Sequence, residues 1–200
     1  DMTLERYSVL RSIGAIRRCD VALIVIDAQE GVTEQDTKIA GLVHDEGRAA
    51  VIIVNKWDAV EKQTGTLEQF QKKVRDQLKF VDYAPVLFIS ALTGQRAGRV
   101  LELAKSAYDA ASKRVSTGVL NDVLADAQAA VQPTVAGGRR LKIYYATQQS
   151  VCPPTFIFFV NDEKLVHFSY ERYLENQLRK AFGFEGTPIR LIFRPKQKER

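Results

Sequence analysis

The sequence contains few of the residues that build disulfide frameworks, metal centres or membrane spans. Its two cysteines, Cys19 and Cys152, lie far apart among 200 residues, which matches neither a disulfide framework nor a metal-ligand spacing and indicates a reducing, cytoplasmic compartment. No apolar run approaches the roughly 18 residues that a membrane-spanning helix needs, and the charged, amphipathic start is not a secretory signal peptide. The isolated His44 and His167 have no accompanying acid or nucleophile, so neither is a catalytic candidate.

What the sequence does contain is typical of a folded, globular chain. Hydrophobic residues make up 46% and charged residues 26% of the composition, which is enough apolar material to build cores. The length suggests one to two domains. The formal net charge is +5, and residues 117–200 carry +4 of it, from 12 basic and 8 acidic side chains. Such a mild basic excess permits an anionic partner without requiring one.

Short apolar runs alternate with amphipathic segments over the first half of the chain. An unbroken apolar run is typical of a strand buried on both faces. Strand–helix alternation predicts an α/β fold with a parallel sheet and helices on both faces. The predicted strands are Val21–Ile26, Ala50–Val54 and Val86–Ile89, and the predicted helices cover residues 4–18, 34–45 after a Thr33 N-cap, 66–80 and 95–112.

The pattern changes after about residue 114. The order of elements becomes α-β-β-α-β, which predicts a small α+β domain with its helices on one face of a three-stranded sheet. We therefore predict two domains, at residues 1–114 and 115–200. The second would contain a helix over 117–131 with Thr117 as N-cap, a break at Gln132–Gly138, loosely alternating Arg139–Gln149, strand Thr155–Val160, helix 169–182 and strand Pro188–Arg194.

Two motifs follow neighbouring predicted strands directly. In an open parallel sheet, ligands bind at the carboxyl ends of the strands, so both motifs should lie at one edge and contact one ligand. Either motif alone occurs often by chance, whereas the pair, one helix apart, indicates guanine recognition. The motifs are Asn55-Lys56-Trp57-Asp58 after the second strand and Ser90-Ala91-Leu92 after the third.

The chemistry of guanine explains these residue types. Its N1–H and N2–H₂ groups are parallel donors, which the Asp58 carboxylate can accept in a bidentate manner; adenine presents no such pair and would leave the carboxylate unpaired. Asn55 can contact the N7 side and join the two loops. The aliphatic part of Lys56 can cover the base, and the Ala91 backbone N–H can reach O6.

Two nearby residues remain open to interpretation. Trp57 either shields the base or packs on the neighbouring helix, and the sequence does not decide between these roles. Asp27, at the end of the first strand, is expected to cap the following turn and not to bind a metal ion.

These motifs resemble the fourth and fifth motifs of the translation-factor-related GTPases. The whole chain resembles the carboxyl-terminal part of the Der (EngA) family, bacterial GTPases with two tandem GTPase domains and a KH-like domain. The resemblance implies a partial P-loop GTPase fold, binding and hydrolysis of GTP to GDP, and a role in assembling the large ribosomal subunit through its rRNA or proteins. It rests on ERYSVLRSIGAIRRCDVALIVIDAQEGVTEQD, NKWD, PPTFIFFVND and SYERYLENQLRKAFGFEGTPIRL.

The sequence lacks the motifs with which that family binds the phosphates and Mg²⁺. It contains no G-x-x-x-x-G-K-[ST] loop, and no Asp-x-x-Gly lies between Asp1 and Asp20. We therefore expect residues 1–114 to be the second half of the second GTPase domain, with Mg²⁺ binding and hydrolysis only in an intact protein. Without the strand that precedes the phosphate loop, Val21–Ile26 should form an exposed edge.

Three origins of this departure are open. The chain can be part of a longer gene product, a proteolysed or expressed piece, or a natural protein that lost its phosphate site. In the first two cases the missing amino-terminal GTPase domains would be partners of this chain.

The basic tail suggests an alternative function. Arg139, Arg140 and Lys142 form its densest basic cluster and are candidate RNA or ribosome contacts, although a solvated surface explains them as well. Gly183–Gly186 has the letters of the KH Gly-x-x-Gly loop but lies between a helix and a strand, where Gly183 suits a helix C-cap. The runner-up function is a non-enzymatic RNA- or ribosome-binding module, and a purely structural scaffold is a third hypothesis.

Overall fold

The computed structural model describes residues 11–133, 135–136 and 138–196, and these form two compact units. The first contains the described residues up to Ala111 together with the short segment Glu185–Pro188. The second contains Ser112–Phe184 and the described residues from Ile189 onward. Of the predicted first helix, residues 11–18 are helical (α1) and residues 4–10 lie outside the described part of the chain.

The first unit is a three-stranded parallel sheet in the order β1-β2-β3. Its strands run in register, so that Asp27 at the end of β1 is the partner of Asn55 at the end of β2. This confirms the predicted α/β sheet. The strands are β1 Val21–Asp27, β2 Ala49–Asn55 and β3 Val86–Phe88, and the helices after α1 are α2 Glu34–Asp45, α3 Thr66–Gln77 and α4 Arg99–Ala111.

Helices cover both faces of this sheet because the side chains of β2 alternate between two cores. Ala50, Ile52 and Val54 belong to the core that also contains residues of α1, α2 and α3. Ala49, Val51 and Ile53 belong to a smaller core with Ala107 and Ala111 of α4. All of these β2 residues are at most 2% exposed, so the central strand is buried on both faces, as its apolar run predicted.

Strand β1 departs from that prediction on one face. Leu23 and Val25 are 42% and 56% exposed, whereas their neighbours Ile24 and Ile26 are buried. Among the described strands, β1 pairs only with β2, so its other edge is unpaired there, and separately the Leu23 and Val25 side chains on its α4 face are left open. An apolar run shows that a strand can be buried on both faces, but it does not show what covers each face. The expected exposed edge is found in the described residues.

The second unit combines a three-stranded sheet, two helices and a short hairpin. The sheet order is β6-β7-β8, with β6 antiparallel and β8 parallel to the central β7. The α+β order predicted for the tail is confirmed, and the two-residue strands β4 and β5 are additional. The elements are α5 Thr117–Ala130, β4 Val135–Ala136, β5 Arg139–Arg140, β6 Ile143–Ser150, β7 Thr155–Val160, α6 Phe168–Phe182 and β8 Arg190–Pro195.

Several predicted boundaries were wrong for local physical reasons. Helix α4 begins at Arg99 and not at residue 95, because residues 95–98 form turns and Arg96 has a φ of +58°, outside the helical region. The N-cap of α5 is Ser116, whose side chain accepts a hydrogen bond from the Val119 N–H, and not Thr117. Gly183 is the C-cap of α6, as predicted, with a φ of +90° and its N–H donated to the Arg179 carbonyl.

Candidate functional site

The two predicted motifs lie at the carboxyl ends of β2 and β3, on one edge of the first sheet. Asn55 is the last residue of β2, and Lys56 then adopts a left-handed conformation with a φ of +62°. A single 3₁₀ turn, Trp57–Ala59, follows. A left-handed conformation is uncommon for a residue with a side chain, so this turn must be held by its surroundings.

Hydrogen bonds join the two loops directly. The Ala91 N–H donates to Asn55 Oδ1 at 2.9 Å, and the Trp57 N–H donates to the Ile89 carbonyl at 3.0 Å. Asn55 and Ala91 are therefore in contact, and Asn55 makes the loop-to-loop connection that its residue type suggested. In this arrangement the Ala91 amide already has an acceptor, so contact with a guanine O6 requires it to be shared or released.

The remaining motif residues differ in their surroundings. Ser90 is fully buried, and its Oγ accepts a hydrogen bond from the Thr93 N–H at 3.1 Å, which shapes the turn after β3. Asp58 and Ala91 are exposed, and Leu92 is 88% exposed. A carboxylate, a small residue and an apolar side chain are thus open to solvent at this edge.

Asp27 has a second role that the sequence did not indicate. Its Oδ1 accepts a hydrogen bond from the Gln29 N–H at 2.8 Å, as expected for a turn cap, while its Oδ2 pairs with Lys56 Nζ at 2.5 Å. The hydrogen bond and charge of Lys56 lower the pKa of Asp27, and the same pair raises the pKa of Lys56. The signal was available in the register, because Asp27 and Asn55 end neighbouring parallel strands.

The pair predicts a measurable titration. Because the pKa of Asp27 is lowered, the pair should be intact above the ordinary value of 3.8 and should be lost only as the pH falls through the lower folded value. Carboxyl ¹³C NMR of the 200-residue chain should therefore place the Asp27 midpoint below 3.8.

Two lysine variants serve as controls for this titration. Lys56→Met should raise the Asp27 midpoint toward its ordinary value, because the opposite charge is gone. Lys62→Met removes another exposed lysine and should leave the midpoint unchanged. An Asp27 midpoint that is the same with and without Lys56 would show that the two side chains are not paired in solution.

Trp57 packs into the protein. It is 4% exposed, and its ring contacts Phe88 and Phe70 edge-on with centroid distances of 4.6 and 5.6 Å. Of the two roles left open by the sequence, packing on the neighbouring helix is therefore the one observed, since Phe70 lies on α3. The indole anchors the turn at residues 55–59 to the core.

The candidate RNA contacts lie in the second unit. Arg139 pairs with Asp162 at 3.1 Å, Arg140 donates to Gln132 Oε1 at 2.8 Å, and Lys142 is exposed. The Gly-x-x-Gly letters do not form a clamp of the KH type, because Phe184 between the glycines is 2% exposed and packs against Phe156.

A metal site built from side chains alone needs several ligating groups close together. Within the described residues, no three His, Cys, Asp or Glu side chains come close enough to hold a metal ion, although Mg²⁺ prefers carboxylate and phosphate oxygens. In the described part of the chain, no helix is long and apolar enough to cross a membrane.

Comparison with known proteins gives the family. The model of the elongation factor Tu GTP binding domain matches residues 7–113. The chain belongs to this GTPase family. Residues 114–194 match a second model, the KH-domain-like of EngA bacterial GTPase enzymes, C-terminal. The resemblance to Der (EngA) GTPases drawn from the sequence is thereby confirmed.

The similar proteins are longer than this chain. It is 62% identical over 196 residues to the GTPase Der of Acetivibrio thermocellus and 61% identical over 196 residues to that of Ruminiclostridium cellulolyticum. Each alignment covers 98% of this chain and 44% of the relative. A solved structure of Era with MgGDPNP and nucleotides 1506-1542 of 16S ribosomal RNA is 15% identical, with a TM-score of 0.42, over 92% of this chain and 67% of that one. The chain therefore spans less than half the length of the two Der relatives.

Proposed function

We propose that residues 1–114 supply the guanine-recognition part of a GTP-binding domain and that residues 115–200 form a KH-like domain, in a cytoplasmic GTPase that assembles the large ribosomal subunit. The observation that carries the guanine assignment is the 2.9 Å hydrogen bond from the Ala91 N–H to Asn55 Oδ1. It places both motifs at one sheet edge, with the Asp58 carboxylate exposed beside them. Carboxyl strand ends are where open parallel sheets bind ligands.

The residues of this edge fit guanine better than adenine. In our proposal Asp58 accepts from N1–H and N2–H₂, Asn55 contacts the N7 side, and the Ala91 N–H reaches O6. Asp27 keeps Lys56 in its left-handed turn so that the aliphatic part of Lys56 can cover the base. Ser90 shapes the turn, and Leu92 covers one side of the ligand.

The proposal is tested by base discrimination in the 200-residue chain. Saturation-transfer NMR with GDP and ADP at equal millimolar concentrations should give signals from the guanine protons, because adenine leaves the Asp58 carboxylate unpaired. ¹⁵N spectra should show the largest GDP-dependent shifts at Asn55 and Ala91. Equal signals from GDP and ADP would remove the guanine assignment.

We expect no GTP turnover by this chain alone. Hydrolysis requires groups that hold the phosphates and Mg²⁺, and these 200 residues contain no G-x-x-x-x-G-K-[ST] loop. Phosphate release from GTP should stay at the buffer rate with or without Mg²⁺. Release that depends on both Mg²⁺ and Asp58 would contradict this expectation. In an intact protein, amino-terminal GTPase domains would be partners of this chain and would supply those groups.

A second candidate function is a non-enzymatic RNA- or ribosome-binding module. It is favoured by the net charge of +4 in residues 117–200 and by the exposed Arg139, Arg140 and Lys142. Its ligand would be rRNA or a ribosomal protein. One protein can have both functions. The comparison of GDP with ADP tells whether the GTP-binding function is present, because a module that binds only RNA or the ribosome shows no preference for GDP.

A further inference from the structure

One face of the sheet in the second unit carries a row of aromatic and basic side chains. Helices α5 and α6 cover the other face, where Ala146, Phe158 and Phe193 are register partners across the three strands and pack into the core. Strand side chains alternate between faces. The adjacent row, which is Tyr145, Phe159 and Arg194, therefore lies on the face opposite the helices.

The tyrosines of this face are packed and still exposed. Tyr145 stacks on Phe159 with a centroid distance of 4.4 Å and an interplanar angle of 20°, yet 37% of Tyr145 is exposed. Tyr144 is 50% exposed, and Lys196 Nζ lies 5.5 Å from its ring centroid. A register shift between Ile143 and Tyr145 sets both tyrosines opposite Phe159, so the alternation of faces is interrupted and Tyr144 shares the face of Tyr145. Each ring is thus oriented by one neighbour and keeps surface available for another planar group.

Hydrogen bonds bring the basic cluster to the same end of the sheet. Asn161 follows β7, and its side chain accepts from the Lys142 N–H at 2.8 Å and donates to the Arg140 carbonyl at 3.1 Å. The Lys196 N–H donates to the Val160 carbonyl, also at 2.8 Å. Residues that are far apart in the sequence therefore converge where β7 ends.

The charge of this end of the sheet is predominantly positive. Among the described residues, five basic side chains lie there, and the acidic side chains directly after β7 are Asp162, which pairs with Arg139, and Glu163. The basic side chains are Arg139, Arg140, Lys142, Arg194 and Lys196, all of them exposed. We call these five residues together with Tyr144, Tyr145 and Phe159 the aromatic–basic surface.

We propose that the aromatic–basic surface binds single-stranded RNA. Unpaired bases stack on aromatic rings while Arg and Lys neutralise the phosphates, whereas a duplex hides its base faces and offers phosphates alone. An acidic protein partner would use the charges but would leave the exposed rings unexplained. This inference rests on the RNA contact proposed above and extends it from three basic residues to stacking groups, on a part of the fold other than the Gly183–Gly186 loop.

The test is a fluorescence anisotropy titration of the 200-residue chain with a fluorescein-labelled twelve-nucleotide uridine strand. We expect the single strand to bind more tightly than a labelled twelve-base-pair RNA duplex. The double change Tyr144→Ala with Tyr145→Ala should raise the Kd for the single strand about tenfold or more. Tyr144→Phe with Tyr145→Phe keeps the rings and should stay within about twofold.

Matched controls separate stacking, charge and folding. Tyr108→Ala removes a tyrosine of similar exposure, 44%, from the first unit and should leave the Kd unchanged. Lys196→Glu should weaken binding and reduce its salt dependence, because fewer counterions are released. Circular dichroism melts report folding, and Lys196→Glu decides the question if the double alanine variant does not fold.

Three outcomes would overturn the proposal. The first is a Kd for the single strand that is unchanged both in a folded double alanine variant and in Lys196→Glu. The second is tighter binding of the duplex than of the single strand. The third is that the chain binds a ribosomal protein through the two tyrosines and does not bind RNA. GDP discrimination is measured on the same variants. Loss of that discrimination with RNA binding intact would count against the guanine site and not against this surface.

Discussion

Replacing Asp58 with Asn should switch the base preference of the site from guanine to xanthine. Guanine presents two donors, N1–H and N2–H₂, to the carboxylate, whereas an Asn amide has one acceptor and one donor. The amide NH₂ would then face the guanine N2–H₂, donor against donor. Xanthine has a carbonyl at that position and pairs with the amide. A site that leaves polar groups unpaired rejects a ligand strongly, so we expect the ratio of the two affinities to change by about 100-fold or more.

The measurement is a competition between GDP and xanthosine diphosphate, followed by saturation-transfer NMR on the 200-residue chain. Glu61→Gln is the matched control, because it neutralises another exposed carboxylate three residues further along the same loop and should leave the preference for guanine intact. An Asp58→Asn variant with an unchanged preference would show that the edge does not read the base, and a structural scaffold would then be the better description.

Replacing Trp57 with Ala should lower the free energy of unfolding of the first unit by about 3–5 kcal/mol. The indole is 4% exposed and lies against Phe70 and Phe88, which also contact each other edge-on at 5.9 Å. Truncation therefore removes apolar contacts and leaves a cavity where α3, β3 and the turn at residues 55–59 meet. Because Trp57 directly precedes Asp58, the variant should also reduce the affinity for GDP.

Urea denaturation followed by circular dichroism measures this change. Trp57→Phe retains an edge-on aromatic contact and should have a smaller effect. Tyr108→Ala is the control for loss of a partly exposed aromatic residue in the same unit, 44% exposed, and should cost less than about 1 kcal/mol. If Trp57→Ala also lowered the free energy of unfolding by less than about 1 kcal/mol, the indole would not be anchored in the core as described.

The buried parts of the fold could be predicted from the sequence because burial leaves a pattern in it. The apolar run of β2 and the periodicity of α3, with Val74 buried and Phe70 packed against the core, identified both elements. The run of β1 looked the same as that of β2, yet Leu23 is exposed. What covers a strand depends on elements distant in the sequence, and the run itself contains no information on them.

Polar and aromatic contacts between distant residues were the least predictable. The Asp27–Lys56 pair depends on strand register, and the stacking of Tyr145 on Phe159 depends on how β6 pairs with β7. Neither arrangement repeats along the chain, so no periodicity reveals it. Asn55 was predictable because its role in a tight loop follows from its side-chain chemistry and from its place directly after a strand.

The two three-stranded sheets share one order of synthesis, because in both of them the spatial order of the strands equals their order in the chain. In the first sheet the spatial order equals the chain order, and each strand pairs with one made about 30 residues earlier. That sheet can therefore grow strand by strand as the nascent chain leaves the ribosome. In the second sheet the central β7 receives its parallel partner only after α6 has been made. Both units are therefore completed late in translation, because the first also contains Glu185–Pro188 and the second contains β8, and we expect full protection from proteases only after residues 185–195 have been made.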